Sequence, residues 1–393
     1  MPLSAGLQQK LAQLHFTTPT PVQASAIAPA LDGKDLLATA QTGTGKTLAF
    51  LIPIIERLGA EPAAPRVSTL ILVPTRELAM QVHEQYEALR PRNLRPAALV
   101  IGGMSEQRQI QAVRKGANIV VATPGRLEDY LRRKLVDLRQ VKTLVLDESD
   151  RMLDMGFLPA IRRIVAELPR ERQTLCFSAT LEASVANLVN DYMRSPVRVA
   201  LGSTSKPADT VELQAFEVPQ AEKGEVLRQL LYSEKGQTLV FARTKHGTER
   251  LCKSLVRDGF TAAMIHGDRS QSQRIGALSG FEDGKFQVLV ATDVASRGIH
   301  VDNVAHVINY DLPQIPEDFI HRVGRTGRMG SAGRASTLVS GAEIPELRSM
   351  ERALKLKIAR KAFQAGGRAA AARTTRNTLP TRTLSRMPGE VFS

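Results

Sequence analysis

The chain has 393 residues, too many for one ordinary hydrophobic core and about right for two domains of roughly 150 to 200 residues each. Its apolar fraction is 43%, and no apolar run approaches the roughly 20 residues of a membrane helix, which argues against a membrane-spanning protein. Lysine and arginine outnumber the acids 53 to 39, so the charge of +14 indicates either a polyanionic partner or a generally basic surface.

The cysteines and the N-terminus bear on where the protein works. Cys176 and Cys252 lie far apart in apolar stretches, which favours reduced core residues over a disulfide framework or a zinc site. Lys10 lies inside an amphipathic pattern rather than before an apolar block, so we expect no signal peptide. The sequence therefore predicts a cytoplasmic protein without a membrane partner.

Short apolar strands alternate with amphipathic segments in the first half of the chain. Each strand is expected to precede a helix of ten or more residues, and the predicted strands are 35–39, 67–73, 97–101, 118–122, 143–147 and 173–178. Continuous apolar strands between helices predict a parallel sheet that is covered on both faces.

The alternation stops at a polar segment rich in Gly, Ser and Pro, which we interpret as a linker at 204–210. It then resumes with predicted strands at 238–242, 261–265, 287–291, 306–310 and 335–339. Two α/β domains in series follow, with a possible origin by duplication although no sequence repeat is visible. From Arg360 onward seven basic residues face one acid, Glu390, so a basic disordered tail is predicted.

A glycine-rich turn follows the first predicted strand. The segment AQTGTGKT at 40–47 resembles the phosphate-loop pattern, with Ala40 in place of the first glycine. Gly43 and Gly45 allow the backbone N–H groups to point at phosphate oxygens at the start of a helix. Lys46 would then reach the β- and γ-phosphates, and the Thr47 hydroxyl would ligate Mg²⁺.

Three acids, Asp147, Glu148 and Asp150, follow the fifth predicted strand. Because the carboxyl ends of parallel strands share one edge of a sheet, Asp147 should lie beside the phosphate loop. Its carboxylate would hold Mg²⁺ through water, and Glu148 would orient and deprotonate an attacking water. The alternative is a solvated acidic turn that caps the next helix.

Further short motifs occur in a fixed order along the chain: PTPVQ at 19–23, PTREL at 74–78, TPGR at 123–126, SAT at 178–180, FART at 241–244, HGD at 266–268, ATDVASRGI at 291–299 and HRVGRTGR at 321–328. Together they resemble the DEAD-box ATP-dependent RNA helicases of superfamily 2, bacterial type, with Asp-Glu-Ser-Asp in place of DEAD. The resemblance runs from about Phe16 to Leu338.

The resemblance implies two tandem RecA-like parallel-sheet domains joined by a short linker. The expected units are a Q-motif region at 1–25, an ATP-binding domain at 26–203, the linker at 204–210, a helicase C-terminal domain at 211–358 and the basic tail at 359–393.

It also implies the roles of particular residues. ATP binding is expected at Phe16, Gln23, Ala40, Gln41, Thr42, Gly43, Thr44, Gly45, Lys46, Thr47 and Asp293, and catalysis at Lys46, Thr47, Asp147, Glu148, Arg325 and Arg328. Coupling is expected at Asp150, Ser178, Thr180 and His321. RNA contacts are expected at Pro74, Thr75, Arg76, Gly102, Gly103, Thr123, Pro124, Gly125, Arg126, Arg243, Thr244, Gly267, Thr292 and Arg297.

Arginines in HRVGRTGR recur with a spacing of three, so we expect all of them to point at a shared anion. By resemblance, Arg325 and Arg328 act as arginine fingers on the γ-phosphate held by the first domain. Hydrolysis then requires closure of the two domains, which ATP and RNA would each favour. The implied activity is RNA-stimulated ATP hydrolysis coupled to local strand separation or remodelling of RNA–protein complexes.

Departures from the family pattern leave alternatives open. His15 precedes Phe16 where a glycine is usual, Leu3 stands near the expected upstream aromatic, and His300 stands where an aspartate is common. Ser149 replaces alanine, and its hydroxyl is expected to bond locally to the backbone. One alternative is an RNA clamp with impaired turnover, and another is a DNA-directed helicase of the same superfamily.

The expected partners follow from the motif chemistry. Threonine, glycine and arginine at strand-to-helix turns suit a sugar-phosphate backbone and read no base sequence, so RNA is expected to bind without sequence preference. The cofactors implied are ATP and Mg²⁺. Protein partners such as ribosome-assembly or RNA-decay factors are not readable from the sequence.

The basic tail gives a first testable prediction. Deleting the residues beyond Arg360 should lower RNA affinity and flatten its salt dependence, because each lysine or arginine that neutralises a phosphate releases counterions. Basal ATP hydrolysis should stay unchanged. Filter binding over a salt series measures both quantities, and an unchanged salt slope would remove the tail from RNA binding.

Overall fold

The structure, a computed structural model, describes residues 3–40, 44–61, 64–180, 183–200, 210–234, 236–296, 301, 304–327 and 332–362. The predictions for Gln41, Thr42, Gly43, Arg297 and Arg328 lie outside the described residues. The same holds for residues 204–209 of the predicted linker and for the tail after residue 362.

The first domain is a seven-stranded parallel sheet with the strand order β3-β4-β2-β5-β6-β1-β7. Its strands are β1 Leu36–Thr39, β2 Thr69–Leu72, β3 Ala98–Val100, β4 Ile119–Ala122, β5 Thr143–Leu146, β6 Gln173–Ser178 and β7 Val197–Ala200. Its helices are α1 Ala5–Gln13, α2 Pro21–Leu31, α3 Lys46–Ala60, α4 Arg76–Leu89, α5 Glu106–Arg114, α6 Pro124–Arg132, α7 Ser149–Asp154, α8 Leu158–Ala166 and α9 Ala183–Tyr192.

The second domain is also a seven-stranded parallel sheet, with the order β10-β11-β9-β12-β13-β8-β14. Its strands are β8 Val211–Glu217, β9 Thr238–Phe241, β10 Ala262–Ile265, β11 Val288–Ala291, β12 His306–Asn309, β13 Gly333–Val339 and β14 Ala359–Lys361. Its helices are α10 Lys223–Ser233, α11 Lys245–Arg257, α12 Gln271–Glu282, α13 Asp293–Ser296, α14 Pro316–Val323 and α15 Ile344–Leu354, with a 3₁₀ turn at Gly341–Glu343.

Both sheets have the same topology. When the strands of each domain are numbered from its own first strand, both orders read 3-4-2-5-6-1-7. This shared order supports the duplication that the alternating pattern suggests, because chance would not repeat every crossover. The predicted fold class, two parallel-sheet α/β domains in series, is therefore confirmed.

Apolar side chains on both faces of each sheet explain why the central strands form. All residues of β1, β2, β4 and β5 are buried, and the two faces of the first sheet pack against separate hydrophobic clusters. Leu36 and Leu70 are fully inaccessible, and burying such a side chain stabilises the fold by about 1.5–3 kcal/mol. The faces of the sheet are thus buried by packing, and functional side chains are expected at the ends of the strands.

The strands that sequence reasoning missed are β7, β8 and β14, of which β7 and β14 lie at sheet edges. β7 has one buried residue, β14 has none, and the three buried residues of β8 begin with the polar Gln214, so all three strands lack a continuous apolar run. β14 also corrects the predicted start of the tail, because Ala359–Lys361 pairs with β8 and Lys361 Nζ lies 2.7 Å from Glu212 Oε1. A truncation that tests the tail must therefore keep residue 361.

The N-terminal residues, predicted as a Q-motif region at 1–25, pack against the first domain. Leu7 of α1 is fully buried, and the Ser4 hydroxyl donates a hydrogen bond of 2.7 Å to Glu56 of α3. α2 crosses the predicted boundary at residue 25 and packs along α3. Among the described residues, none of the helices is both long and apolar enough for a membrane crossing.

Some helices are shorter than the expected ten residues. α7 has six residues and α13 has four. Glu148 begins α7 from the left-handed region, with φ of 51°, and Gly156 follows its end with φ of 74°. These backbone angles confine the acid motif to one short turn between β5 and α8.

A buried histidine in the second sheet predicts acid sensitivity. His306 Nε2 lies 2.7 Å from Ser336 Oγ, and Nδ1 has no hydrogen-bond partner among the described residues. Burial lowers the pKa of His306 to about 4, although Glu212 raises it in part. The unfolded chain has the higher pKa, about 6.5, so it binds the proton first and stability falls between pH 6.5 and 4, by about 2–3 kcal/mol.

His306→Gln should flatten this part of the pH dependence because glutamine does not titrate. Urea unfolding of the full chain between pH 7 and pH 4 measures the effect, and the matched control is His246→Gln, which changes an exposed histidine of α11. Equal losses of stability in wild type and His306→Gln would contradict the assignment.

Candidate active site

The phosphate loop lies at the centre of the first sheet, where β1 leads into α3. Ala40 donates its backbone N–H to the Ser178 carbonyl across the β1–β6 pair, at 3.0 Å. Gly45 has φ of 90°, and a Cβ there would lie 2.4 Å from Gln23 Nε2, so glycine is required. Thr44 precedes the N-cap residue Gly45, and Thr47 is the second residue of α3. The N-terminus of α3 thus points toward the carboxyl edge of the sheet.

Lys46 is a buried lysine at this edge of the sheet. Only 6% of the residue is exposed, and its Nζ atom has no hydrogen-bond partner among the described residues. A buried ammonium group without hydrogen bonds is costly, and native structures keep such a group only with a reason. An anion held at the start of α3, such as a phosphate, supplies the missing acceptors.

Asp147 and Glu148 face the same ammonium group with opposite pKa shifts. Burial raises the pKa of Asp147 to about 6, against the opposing charge of Lys46. Burial would also raise the pKa of Glu148, but Arg151, Lys46 and Arg325 outweigh it and hold that pKa at about 2. Glu148 is therefore ionised at neutral pH, and Asp147 sits in a pocket that favours a nearby cation.

Arg151 is a partner of Glu148 that sequence reasoning missed. Its Nη1 lies 2.8 Å from Glu148 Oε2, and both side chains are buried. The spacing of three residues on one helix was the available signal, because such pairs face each other. The pair and the left-handed backbone of Glu148 together fix where that carboxylate points.

Asp150 connects α7 to the end of β6. Its Oδ2 accepts the backbone N–H groups of Ala179 and Thr180 at 2.8 and 2.9 Å, and also the Thr180 hydroxyl at 3.3 Å. Ser178 Oγ accepts the Thr180 N–H at 3.4 Å. The structure thus brings three of the predicted coupling residues together, while the coupling role itself stays a prediction.

Ser149 bonds differently from the expectation. Its hydroxyl does not bond to the local backbone but donates to the Phe177 carbonyl of β6 at 3.3 Å, and it accepts from Cys176 Sγ at the same distance. The physical reason is burial, because β6 packs against the start of α7 and offers the nearest acceptor. The serine hydroxyl therefore faces β6 and bonds to none of the three carboxylates among the described contacts.

The Q motif contacts the phosphate loop directly. Gln23 Oε1 accepts the Thr20 N–H at 3.0 Å, and Gln23 Nε2 donates to the Gly45 carbonyl at 3.1 Å. Phe16 is 44% exposed, so its ring is free to contact a flat ligand. Gln23 and Phe16 both lie on the first domain, and their adenine contacts stay predictions.

The expectation for HRVGRTGR is wrong for its first arginine. Arg322 is 2% exposed, its Nη2 lies 2.6 Å from Asp293 Oδ2, and its Nη1 donates to the Asp311 carbonyl at 2.7 Å. It also lies 4.9 Å from the centre of the Phe241 ring. Arg322 therefore holds the second domain together instead of pointing at a shared anion, and it engages both carboxylate oxygens of Asp293, whose ATP contact stays a prediction.

Arg325 of the second domain acts electrostatically on the acid motif of the first, and its role as an arginine finger stays a prediction. It is buried, and its charge lowers the pKa of Glu148 although the two residues belong to different domains. His321 lies in the last turn of α14, four residues before Arg325. The structure thus brings one of the two predicted arginine fingers to the acid motif.

An open groove of about 530 Å³ lies between the domains. Eight of the predicted RNA-contact residues line it: Pro74, Thr75, Arg76, Gly102, Thr123, Gly125, Arg126 and, from the second domain, Gly267. Gly103 lies alongside, where a Cβ would lie 2.5 Å from Arg76 Nη1. Pro124 begins α6, so the motif is at once a helix start and part of the groove.

Besides Gly103 and Pro124, three described residues that were predicted to contact RNA are absent from the lining of this groove. The Arg243 guanidinium lies 3.4 Å from Glu343, and the Thr244 hydroxyl accepts the Gly247 N–H at 3.0 Å to cap α11. Thr292 is buried and donates its N–H to the Ile265 carbonyl. Their RNA contacts stay predictions.

A contact between the domains was also missed. Gln271 Nε2 donates to Glu77 Oε1 at 2.9 Å, and Arg274 Nη2 forms an ion pair with Glu77 Oε2 at 2.9 Å, without hydrogen-bond geometry. Glu77 is 2% exposed. PTREL marked Glu77, but only the structure gives its partners on α12. This contact holds the groove closed on one side.

Comparison with known proteins identifies the family. The DEAD/DEAH box helicase profile matches residues 20–188, and the helicase conserved C-terminal domain profile matches residues 222–330. The DEAD-box ATP-dependent RNA helicase CshA of Bacillus subtilis (strain 168) is 40% identical over 359 residues, covering 91% of this chain and 72% of the relative. The chain belongs to the DEAD-box helicase family. Its two sheets are therefore tandem RecA-like domains.

Solved DEAD-box structures add the domain arrangement. A DEAD box protein from Methanococcus jannaschii is 40% identical, with a TM-score of 0.54 over 93% of this chain and 98% of that chain. S. cerevisiae Dbp5 bound to RNA and ADP BeF3 is 29% identical, with a TM-score of 0.82 over 92% and 94%. A lower TM-score at higher identity indicates a different placement of the two domains, so this helicase has the arrangement of the RNA-bound relative.

The residues at the edge of the first sheet fit ATP. Lys46 lacks acceptors that phosphates provide, and Arg325 lies across the cleft. Within the described ranges there is no group of three or more His, Cys, Asp or Glu residues that could hold a metal by itself. Thr47 and Asp147 carry the oxygen ligands that magnesium prefers.

Ser149→Ala should change ATP hydrolysis by less than about tenfold, because hydrogen bonds as long as 3.3 Å contribute at most about 1 kcal/mol. The matched control is Ser68→Ala, which removes an equally long bond to the Asn118 carbonyl at the opposite end of β2. Steady-state phosphate release measures both variants. A gain above tenfold in Ser149→Ala alone would mean that the serine slows turnover.

Proposed function

We propose that this chain is an ATP-dependent RNA helicase in which RNA-stimulated ATP hydrolysis is coupled to closure of the two domains. The observation that carries the proposal is Lys46, a buried ammonium group without hydrogen-bond partners among the described residues, beside Asp147 and Glu148. The similarity to the DEAD-box ATP-dependent RNA helicase CshA and to Dbp5 bound to RNA and ADP BeF3 supports it.

The side chains of both domains act together on the phosphates of ATP. Lys46 binds the β- and γ-phosphates, and Glu148 accepts a hydrogen bond from the attacking water and orients it. Arg325, from the second domain, faces the charge that grows on the γ-phosphate in the transition state. Thr47 and Asp147 would hold a magnesium ion, which would supply further positive charge to the phosphates.

RNA occupies the groove between the domains and stabilises the same closed arrangement. Backbone N–H groups near Gly102 and Gly125, the Thr75 and Thr123 hydroxyls and the Arg76 guanidinium suit phosphate and ribose oxygens. Binding is therefore independent of base sequence. Because the groove and the ATP site both need closure, each ligand raises the affinity for the other.

Closure separates a short duplex or displaces a bound protein when the strand in the groove bends away from its partner. Asp150 and Thr180 lie between the acid motif and β6, so loss of the γ-phosphate reaches the domain contact through them. A cytoplasmic location and a tail that tethers RNA complete the proposal, supported by the two free cysteines and by the basic composition after Arg360.

Lys46→Ala should lower RNA-stimulated ATP hydrolysis by about a hundredfold or more, because it removes the positive charge that binds the β- and γ-phosphates. The matched control is Lys34→Ala, which changes an exposed lysine beyond α2. Phosphate release is measured with single-stranded RNA and with DNA of the same sequence.

Each alternative has its own outcome in this assay. Equal stimulation by DNA and RNA would favour a DNA-directed helicase. RNA binding that depends on a non-hydrolysable ATP analogue, with no phosphate release from ATP, would favour a clamp. If Lys46→Ala and Lys34→Ala retained equal activity, the assigned site would be wrong.

A further inference from the structure

The second sheet has a free edge at β10. This strand pairs with β11, and among the described residues no strand lies on its other side. The carbonyls of Thr261 and Ile265 accept N–H groups from the β11 side. Since alternate residues of a strand direct both backbone groups to the same side, the groups of Ala262 and Met264 point outward.

A groove of about 420 Å³ runs beside this edge, between α11 and α12. Its walls are mainly apolar, with Cys252 and Val256 from α11, Met264 from β10, Ala277 from α12 and Phe286. Val256 is 53% exposed, the second most exposed large apolar side chain among the described residues. An exposed apolar groove beside unpaired backbone groups suits another extended chain.

The charges in the groove are of one sign. Lys253 and Arg269 are its only charged lining residues. Lys253 is 72% exposed and lies 3.6 Å from Glu249, which is not in the lining. Arg269 has no carboxylate partner among the described residues, and its buried Nε atom has no hydrogen-bond acceptor there. A guanidinium group in this state favours an incoming carboxylate.

We propose that the free edge of β10 binds an extended segment of a partner protein by strand addition. The segment has apolar side chains at alternate positions, which enter the groove, and an acidic side chain that pairs with Arg269. The backbone groups of Ala262 and Met264 hydrogen-bond to the segment, which is how strand addition gains affinity. The observations favour a peptide over RNA, because the walls are mainly aliphatic with Phe286 as their one aromatic residue, and only two cations line them.

The position of the groove links binding of the partner to the contact between the two domains. α12 lines the groove with Gln273 and Ala277, and the same helix carries Gln271 and Arg274, which contact Glu77 of the first domain. A segment that packs on one side of α12 therefore acts on the helix that holds the domains together. The segment shifts the equilibrium between open and closed domains by the difference between its affinities for the two arrangements.

Peptide display on the full chain tests the proposal, with a random linear library as the probe. The selected peptides should share an acidic residue and alternate apolar positions. Arg269→Gln and Val256→Glu should each weaken binding by about tenfold or more, as should N-methylation of alternate peptide backbone nitrogens, measured by fluorescence anisotropy. The matched control is Arg257→Gln, on α11 but outside the lining of the groove, and it should bind normally.

RNA-stimulated ATP hydrolysis without peptide shows that each variant is folded, because neither Arg269 nor Val256 lines the ATP site or the interdomain groove. Three outcomes overturn the proposal. The library yields no peptide whose binding depends on Arg269, N-methylation has no effect, or single-stranded RNA displaces the peptide from wild type but binds Arg269→Gln weakly. If a synthetic peptide of residues 385–393 competes at the same site, the occupant is the chain's own tail, and the partner assignment fails.

Discussion

The structure depends on one buried positive charge, the ammonium group of Lys46. Its position follows from the end of β1 and the left-handed Gly45, and its neighbours follow from the ends of β5 and β6. Because a buried ammonium group needs acceptors, the residues around it are constrained together. Its charge acts on the pKa of both Asp147 and Glu148. Burial still raises the pKa of Asp147, whereas Glu148 stays ionised at neutral pH. Arg325 of the second domain acts on the same group of buried charges, because it lowers the pKa of Glu148.

Most of the fold was predictable because its central strands are apolar runs between helices. Edge strands such as β14 escaped prediction because their side chains are exposed and their pairing depends on distant residues. The strand order shared by the two sheets was also invisible, since the connections between strands can be preserved while the side chains diverge. The pattern of apolar residues predicts which segments are buried, but it does not predict the order of the strands in the sheet.

The site residues show the same division. Those that define the phosphate loop and the acid motif were found because their chemistry requires particular residue types at fixed spacing. Arg322 was misjudged because spacing alone does not distinguish an arginine that binds a ligand from one that is buried against Asp293. Glu77, Gln271 and Arg274 were missed for a different reason: a contact across domains joins residues about two hundred positions apart, and no local pattern records it.

The two halves touch through polar contacts such as those of Gln271 and Arg274 with Glu77. Residues 201–210 are all that joins the end of β7 to the start of β8. Such a short tether keeps each half at a high effective concentration around the other, on the order of millimolar. Re-engagement after each opening is then an intramolecular event, whose frequency is independent of how many copies the cell contains. Lengthening the tether would dilute one half with respect to the other and slow the cycle without altering a single active-site atom.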